Sequence, residues 1–79
     1  MEFAEFGSLV AKLRKQKKVS QQTLADDLHI SRATISSFES GKSIDIGFKK
    51  VLQILDYLGL EIDLKEKTPF PVFEDLLNG

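Results

Sequence analysis

The stretch that decides the fold is "SRATISSFESGK", residues 31–42. Ser and Thr are mediocre helix formers, because their hydroxyls compete for backbone hydrogen bonds. Even so, Ile35 and Phe38 stand three apart, as on one helical stripe. Ser31 is a good N-cap, and Gly41 stands where a helix would stop. The spacing predicts a short helix from Ser31 to about Ser40. On a wheel of about 100° per residue with Ile35 and Phe38 inward, Ala33, Ser36, Ser37 and Ser40 fall on the opposite face. Arg32 and Thr34 flank that face, and Glu39 lies near the core edge. The outward surface is small and hydroxylated where Glu and Lys would form a helix better.

Immediately upstream, Ser20 is a second N-cap, and Leu24, Ala25 and Leu28 form the apolar stripe of a helix ending near His29. The two short helices meet through "LHIS", residues 28–31, which leaves room only for a sharp corner. That is the outline of a helix-turn-helix over about residues 20–40. His29 is a turn residue without chemistry of its own, tolerated better than most if its φ is positive. Further upstream, Phe3, Phe6, Val10 and Leu13 predict an amphipathic helix over about 2–17. Lys15, Lys17 and Lys18 in its last turn suit either a helix C-terminus or a phosphate-facing role.

Downstream, 42–45 reads as loop, and Phe48, Val51, Leu52, Ile54, Leu55 and Leu58 predict an apolar helix over 46–58, stopped by Gly59. Then "LEIDLKEK", residues 60–67, alternates Leu60, Ile62 and Leu64 with Glu61, Asp63 and Lys65. Period-2 alternation predicts a strand with one buried face. No second strand is visible in the chain, so its expected partner is the same strand of another copy, paired antiparallel. The tail "KTPFPVFEDLLNG", residues 67–79, holds Phe70, Phe73, Leu76 and Leu77. It has room for a short fifth helix, docked on a dimer or held for a partner. The expected organisation is a helix-turn-helix domain at 1–59, a dimerising strand at 60–67 and a tail at 68–79.

The 79 residues suffice for one small domain with a modest core, which oligomerisation commonly supplements. Without Cys and with a single His, neither a disulfide nor the usual zinc clusters can form, so no metal and no cofactor is expected. No stretch looks like a signal peptide or a membrane span, and a soluble cytoplasmic protein is the default expectation. Net charge is −1, yet residues 1–50 carry nine Lys/Arg against six acids, and residues 51–79 two Lys against six acids. A basic front and an acidic tail suit a DNA-facing half followed by a half that faces something else. An enzyme is not expected: no Ser has a His and an acid at a persuasive spacing, and no Gly-rich phosphate loop is present.

A helix enters the major groove of B-DNA only if its outward side chains permit close approach or match base edges. Ala and Ser permit it, Ser can hydrogen-bond several bases, Ala can touch a thymine methyl, and Arg can fork onto guanine. "SQQTLADDLHISRATISSFESGK", residues 20–42, resembles the helix-turn-helix of the Cro/C1-type (XRE) repressors. Their pattern is Gln-x-x-Leu-Ala, a short turn, then Ser-x-x-x-Ile-Ser-x-hydrophobe-Glu-x-Gly. Gln21, Leu24, Ala25, Ser31, Ile35, Ser36, Phe38, Glu39 and Gly41 match it, while His29 stands where Gly is common. The element order, with a strand after "LGL", further resembles HipB-like antitoxins, whose C-terminal strands pair across a dimer.

The resemblance implies an all-α, lambda repressor-like domain of four to five helices with a β-strand pairing across a homodimer through Leu60, Ile62 and Leu64. It implies base contacts from Arg32, Ala33, Ser36 and Ser37, and phosphate contacts from Gln21, Gln22, Thr34, Ser40 and Lys42. It also implies that Gln21 braces the recognition helix and that Arg14 pairs with Glu39. The partner would be a palindromic double-stranded operator. The function implied is transcriptional repression, as the antitoxin and autorepressor of a HipA-like kinase toxin or as a free-standing phage-type or metabolic regulator. A protein-interaction module on the same scaffold is the remaining alternative.

Overall fold

The computed structural model describes residues 2–42 and 46–67, and contains four helices: α1 (Phe3–Gln16), α2 (Gln21–Leu28), α3 (Arg32–Glu39) and α4 (Phe48–Tyr57). Both short helices start as their sequences dictate. The Ser20 hydroxyl accepts the Thr23 amide at 3.0 Å, and the Ser31 hydroxyl accepts the Thr34 amide at 3.1 Å. His29 ends α2 with φ 56°, and the Ile30 amide reaches back to the Ala25 carbonyl at 3.1 Å. That left-handed residue makes the corner and turns Ile30 into the core, where it is 7% exposed. Neither the burial of Ile30 nor the positive φ of Lys18 (59°), which closes α1, is signalled by the hydrophobic spacing.

α3 packs against both α1 and α2, and α4 packs against α2. Phe38, Leu24, Ile35, Ile54 and Val10 are the largest fully buried side chains, each contributing roughly 1.5–3 kcal/mol by leaving water. Phe38 receives the edges of Phe3 and Phe6 at ring-centroid distances of 5.7 and 5.9 Å. Backbones meet closely here. A Cβ on Gly7 would lie 2.0 Å from the Phe38 carbonyl oxygen, and one on Gly41 (φ 74°) would lie 2.8 Å from the Ala4 Cβ. Two positions without side chains therefore set the distance between α1 and α3.

Two expectations about α4 are corrected. α4 begins at Phe48 rather than Ile46, because Gly47 adopts φ 88°, outside helical space, while Ile46 folds into the core. Nor is the apolar face of α4 all internal: Val51, Ile54, Leu55 and Leu58 are buried, but Phe48 and Leu52 are 68% and 43% exposed. Tyr57 donates its hydroxyl to Asp27, tying α4 to α2. That bond, with partial desolvation and the Asp27 charge, raises the phenol above its ordinary 10.0.

Beyond α4, Gly59 (φ 71°) stops the helix, and the Leu60 amide returns to the Leu55 carbonyl at 2.8 Å. Leu60 packs against the core of its own chain. The remainder of 60–67 is not helical and, among the described residues, no strand forms. A ladder needs a second strand, and the described residues offer none. Ile62 and Leu64 are left 42% and 89% exposed. The expected fifth helix and the tail at 68–79 lie outside the described residues.

Candidate nucleic-acid interface

α3 is an eight-residue helix held from behind. Ile35, Phe38 and Glu39 are buried, while Arg32, Ala33, Ser36 and Ser40 are exposed and Thr34 and Ser37 are half-buried. The small, hydroxylated face therefore points away from the core, as the wheel requires. Arg32 opens the helix beside the Ser31 cap and is exposed. The Thr34 hydroxyl is 2.6 Å from the Ser31 hydroxyl, and Ser40 donates to the Ser37 carbonyl at 3.3 Å. Both hydroxyls are thus partly engaged by the helix ends. Lys42 is exposed, and its amide donates to the Ser37 carbonyl at 3.1 Å.

Glu39 anchors α3 from below. Arg14 grips it through two parallel bonds, Nε to Oε2 at 2.7 Å and Nη2 to Oε1 at 2.9 Å, with both side chains about 95% removed from solvent. Arg14 also donates through Nη1 to the Val19 carbonyl at 2.6 Å. The Gln21 amide donates to Glu39 Oε1 at 2.9 Å. One carboxylate thereby holds the end of α1, the start of α2 and the end of α3 in fixed relation. No buried side-chain polar atom among the described residues lacks a partner. Such a network orients the outward face of α3 with little play.

The residues assigned phosphate roles divide. Gln21 sits at the first position of α2 and spends an amide N–H on Glu39, so it braces α3 directly. Gln22 is exposed, and its amide donates to Asp26 at 2.8 Å along its own helix. Thr34, Ser40 and Lys42 rim α3. The Val19 carbonyl, a third ligand of Arg14, escaped the sequence reading, as main-chain acceptors do. Among the described residues no cluster of His, Cys, Asp and Glu is arranged to hold a metal, and no helix is long and apolar enough to cross a membrane.

The chain matches the helix-turn-helix domain family over residues 7–78. It is similar to the uncharacterized HTH-type transcriptional regulator YqaE of Bacillus subtilis (strain 168), at 36% identity over 72 residues. The match takes in 89% of this chain and 61% of that relative, so the chain spans less than two thirds of the relative's length. Its fold is similar to a solved HipA–HipB–O2–O3 complex, with TM-score 0.76 and 25% identity over 86% of this chain and 94% of that chain. A HipB–O4 20mer complex is similar over the same shares, at 25% identity and TM-score 0.75.

Proposed function

Because the chain belongs to the helix-turn-helix domain family, we propose that it is a double-stranded DNA-binding transcriptional repressor acting as a homodimer on a palindromic operator. The observation that carries this reading is the exposed Arg32–Ala33–Ser36 face of α3, with half-buried Ser37 at its edge, locked from behind by the Arg14–Glu39–Gln21 network. Each copy lays α3 in a major groove, with the two helices about one DNA turn, roughly 34 Å, apart. Arg32, Ala33, Ser36 and Ser37 meet base edges, while Gln21, Gln22, Thr34, Ser40 and Lys42 meet the backbone. Its likeness to HipB in complexes with operator DNA supports the same use of α3.

Arg32→Ala costs about 1–3 kcal/mol of operator affinity and relaxes preference at one base pair, as loss of a bidentate guanine contact does. Affinity is read by titrating the duplex that the wild-type chain selects from a random library. An unchanged affinity and motif would remove Arg32 from the reading surface.

The second copy is supported by the apolar surface that one copy leaves bare. Leu64 stands exposed, and half-exposed Ile62 lines a groove of about 420 Å³ with Phe6, Leu9, Leu13, Leu55 and Leu60. Antiparallel pairing of residues 60–67 satisfies two strand edges at once and covers this groove. Leu60 belongs mostly to its own core in this arrangement, and Ile62 and Leu64 carry the contact. Ile62→Asp yields monomers by light scattering; a persistent dimer places the interface elsewhere.

The biological setting we favour is that of an antitoxin repressing its own operon beside a HipA-like kinase toxin, given the likeness to HipB in a complex with HipA. The tail at 68–79, read as docked on a dimer or held for a partner, lies outside the described residues. A free-standing regulator is the second reading, favoured by the higher identity to YqaE. A kinase-like reading frame adjoining this one separates the two.

A further inference from the structure

A second surface borders the recognition helix, and neither the helix-turn-helix nor the dimer uses it. Ser8, Ala11, Lys12, Lys15 and Gln16 recur at helical spacing along one side of α1 and, with Glu39 of α3, line an open groove of about 560 Å³. Lys12 and Lys15 are exposed, and among the described residues no acid pairs with either. Glu39 is the single acid in the lining, and its charge is already spent. Arg14 holds both of its oxygens, and Gln21 shares one. The net character of the groove is thus two free ammonium groups above a small floor at Ala11, a setting for an anion.

Its place indicates which anion. Glu39 stands on α3 between Ser36 and Ser40, both on the outward face, and its other neighbour is Gln21 at the start of α2. The groove therefore continues the surface that the reading face and the α2 start already form. A duplex seated on α3 has a charged strand on each wall of its major groove, at one negative charge per about 1.7 Å of axis. We propose that Lys12 and Lys15, with the Ser8 hydroxyl beside them, clasp the DNA backbone next to the phosphate at Gln21, making α1 part of the DNA interface. This rests on the DNA-binding reading above. The Arg14–Glu39 pair then has a second consequence: it fixes the α1 lysines in register with the bases read by α3.

The test uses the full chain and the duplex it selects from a random library, titrated from about 50 to 300 mM salt. The variants are Lys12→Gln, Lys15→Gln, the pair together, and Lys50→Gln as an exposed control outside the groove. Each released phosphate contact lowers the slope of log affinity against log salt by about 0.9. Because each substitution is present in both copies of the dimer, the single variants are expected to lose about 1.8 and the double about 3.6, with the selected motif unchanged and the melting temperature held. The control keeps the wild-type slope. A double variant with the wild-type slope, or one matching Lys50→Gln, overturns the role of α1. So does an affinity loss at unchanged slope, which would mark a packing effect. A wild-type chain that selects no duplex overturns the DNA-binding reading itself, and this one with it.

Discussion

Gly7→Ala unfolds the chain or lowers its melting temperature by about 12–24 °C or more. On a solvent-facing helix the same change stabilises by roughly 0.5–1 kcal/mol, so sign as well as size is at stake. The new methyl would sit 2.0 Å from the Phe38 carbonyl oxygen and 3.1 Å from its carbon. Contacts under 3.0 Å are essentially never seen for a Cβ, and the obstacle here is backbone, which cannot rotate aside. Helix α1 must withdraw from α3. That lifts Phe3 and Phe6 off Phe38 and draws Arg14 away from Glu39. Overpacking typically costs 1–3 kcal/mol and occasionally more; a backbone obstacle puts this case at about 3 kcal/mol or beyond. In a domain of this size each kcal/mol shifts the melting point by about 4–8 °C. Thermal unfolding followed by circular dichroism reads the result directly. A variant that melts within a few degrees of wild type would show that α1 and α3 do not approach as described.

Glu39→Ala is expected to destabilise by about 3–5 kcal/mol, because it strands a buried guanidinium. Arg14 is 5% exposed and keeps only the Val19 carbonyl once the carboxylate is gone. The Gln21 amide loses its acceptor in the same step. The penalty comes from the partner left behind rather than from the net worth of the pair. Replacing both members with apolar residues, Arg14→Met with Glu39→Leu, is therefore expected to recover most of the loss. If Glu39→Ala instead costs under about 1 kcal/mol, the pair behaves as an exposed one and the brace behind α3 is not real.

Much of the architecture is written locally. Ser20 and Ser31 cap because a short hydroxyl reaches an amide three residues on, and Ile35 with Phe38 fixes which side of α3 turns inward. The period-2 pattern at 60–67 marks a segment that ceases to be helical, but among the described residues nothing pairs with it as a strand. The same pattern groups Leu60 with Ile62 and Leu64, although the helix-end bond to Leu55 assigns Leu60 to its own core. Gly7 was illegible for a different reason. A glycine inside an amphipathic helix looks like a weak helix former, and only the neighbouring backbone reveals that a side chain is forbidden there. The Arg14–Glu39 pair lies 25 residues apart in sequence, beyond any spacing rule, and was indicated only by resemblance. The outward residues of α3 were placed by periodicity, whereas which of them read bases depends on a duplex.

Whether the outward face of α3 reads double-stranded DNA is decided by selection from a random duplex library with the full wild-type chain. The expected product is an inverted repeat whose half-sites are centred about 10–10.5 base pairs apart, bound with an affinity that falls steeply as salt rises. A library that returns without an enriched motif, or binding indifferent to salt, would contradict that reading.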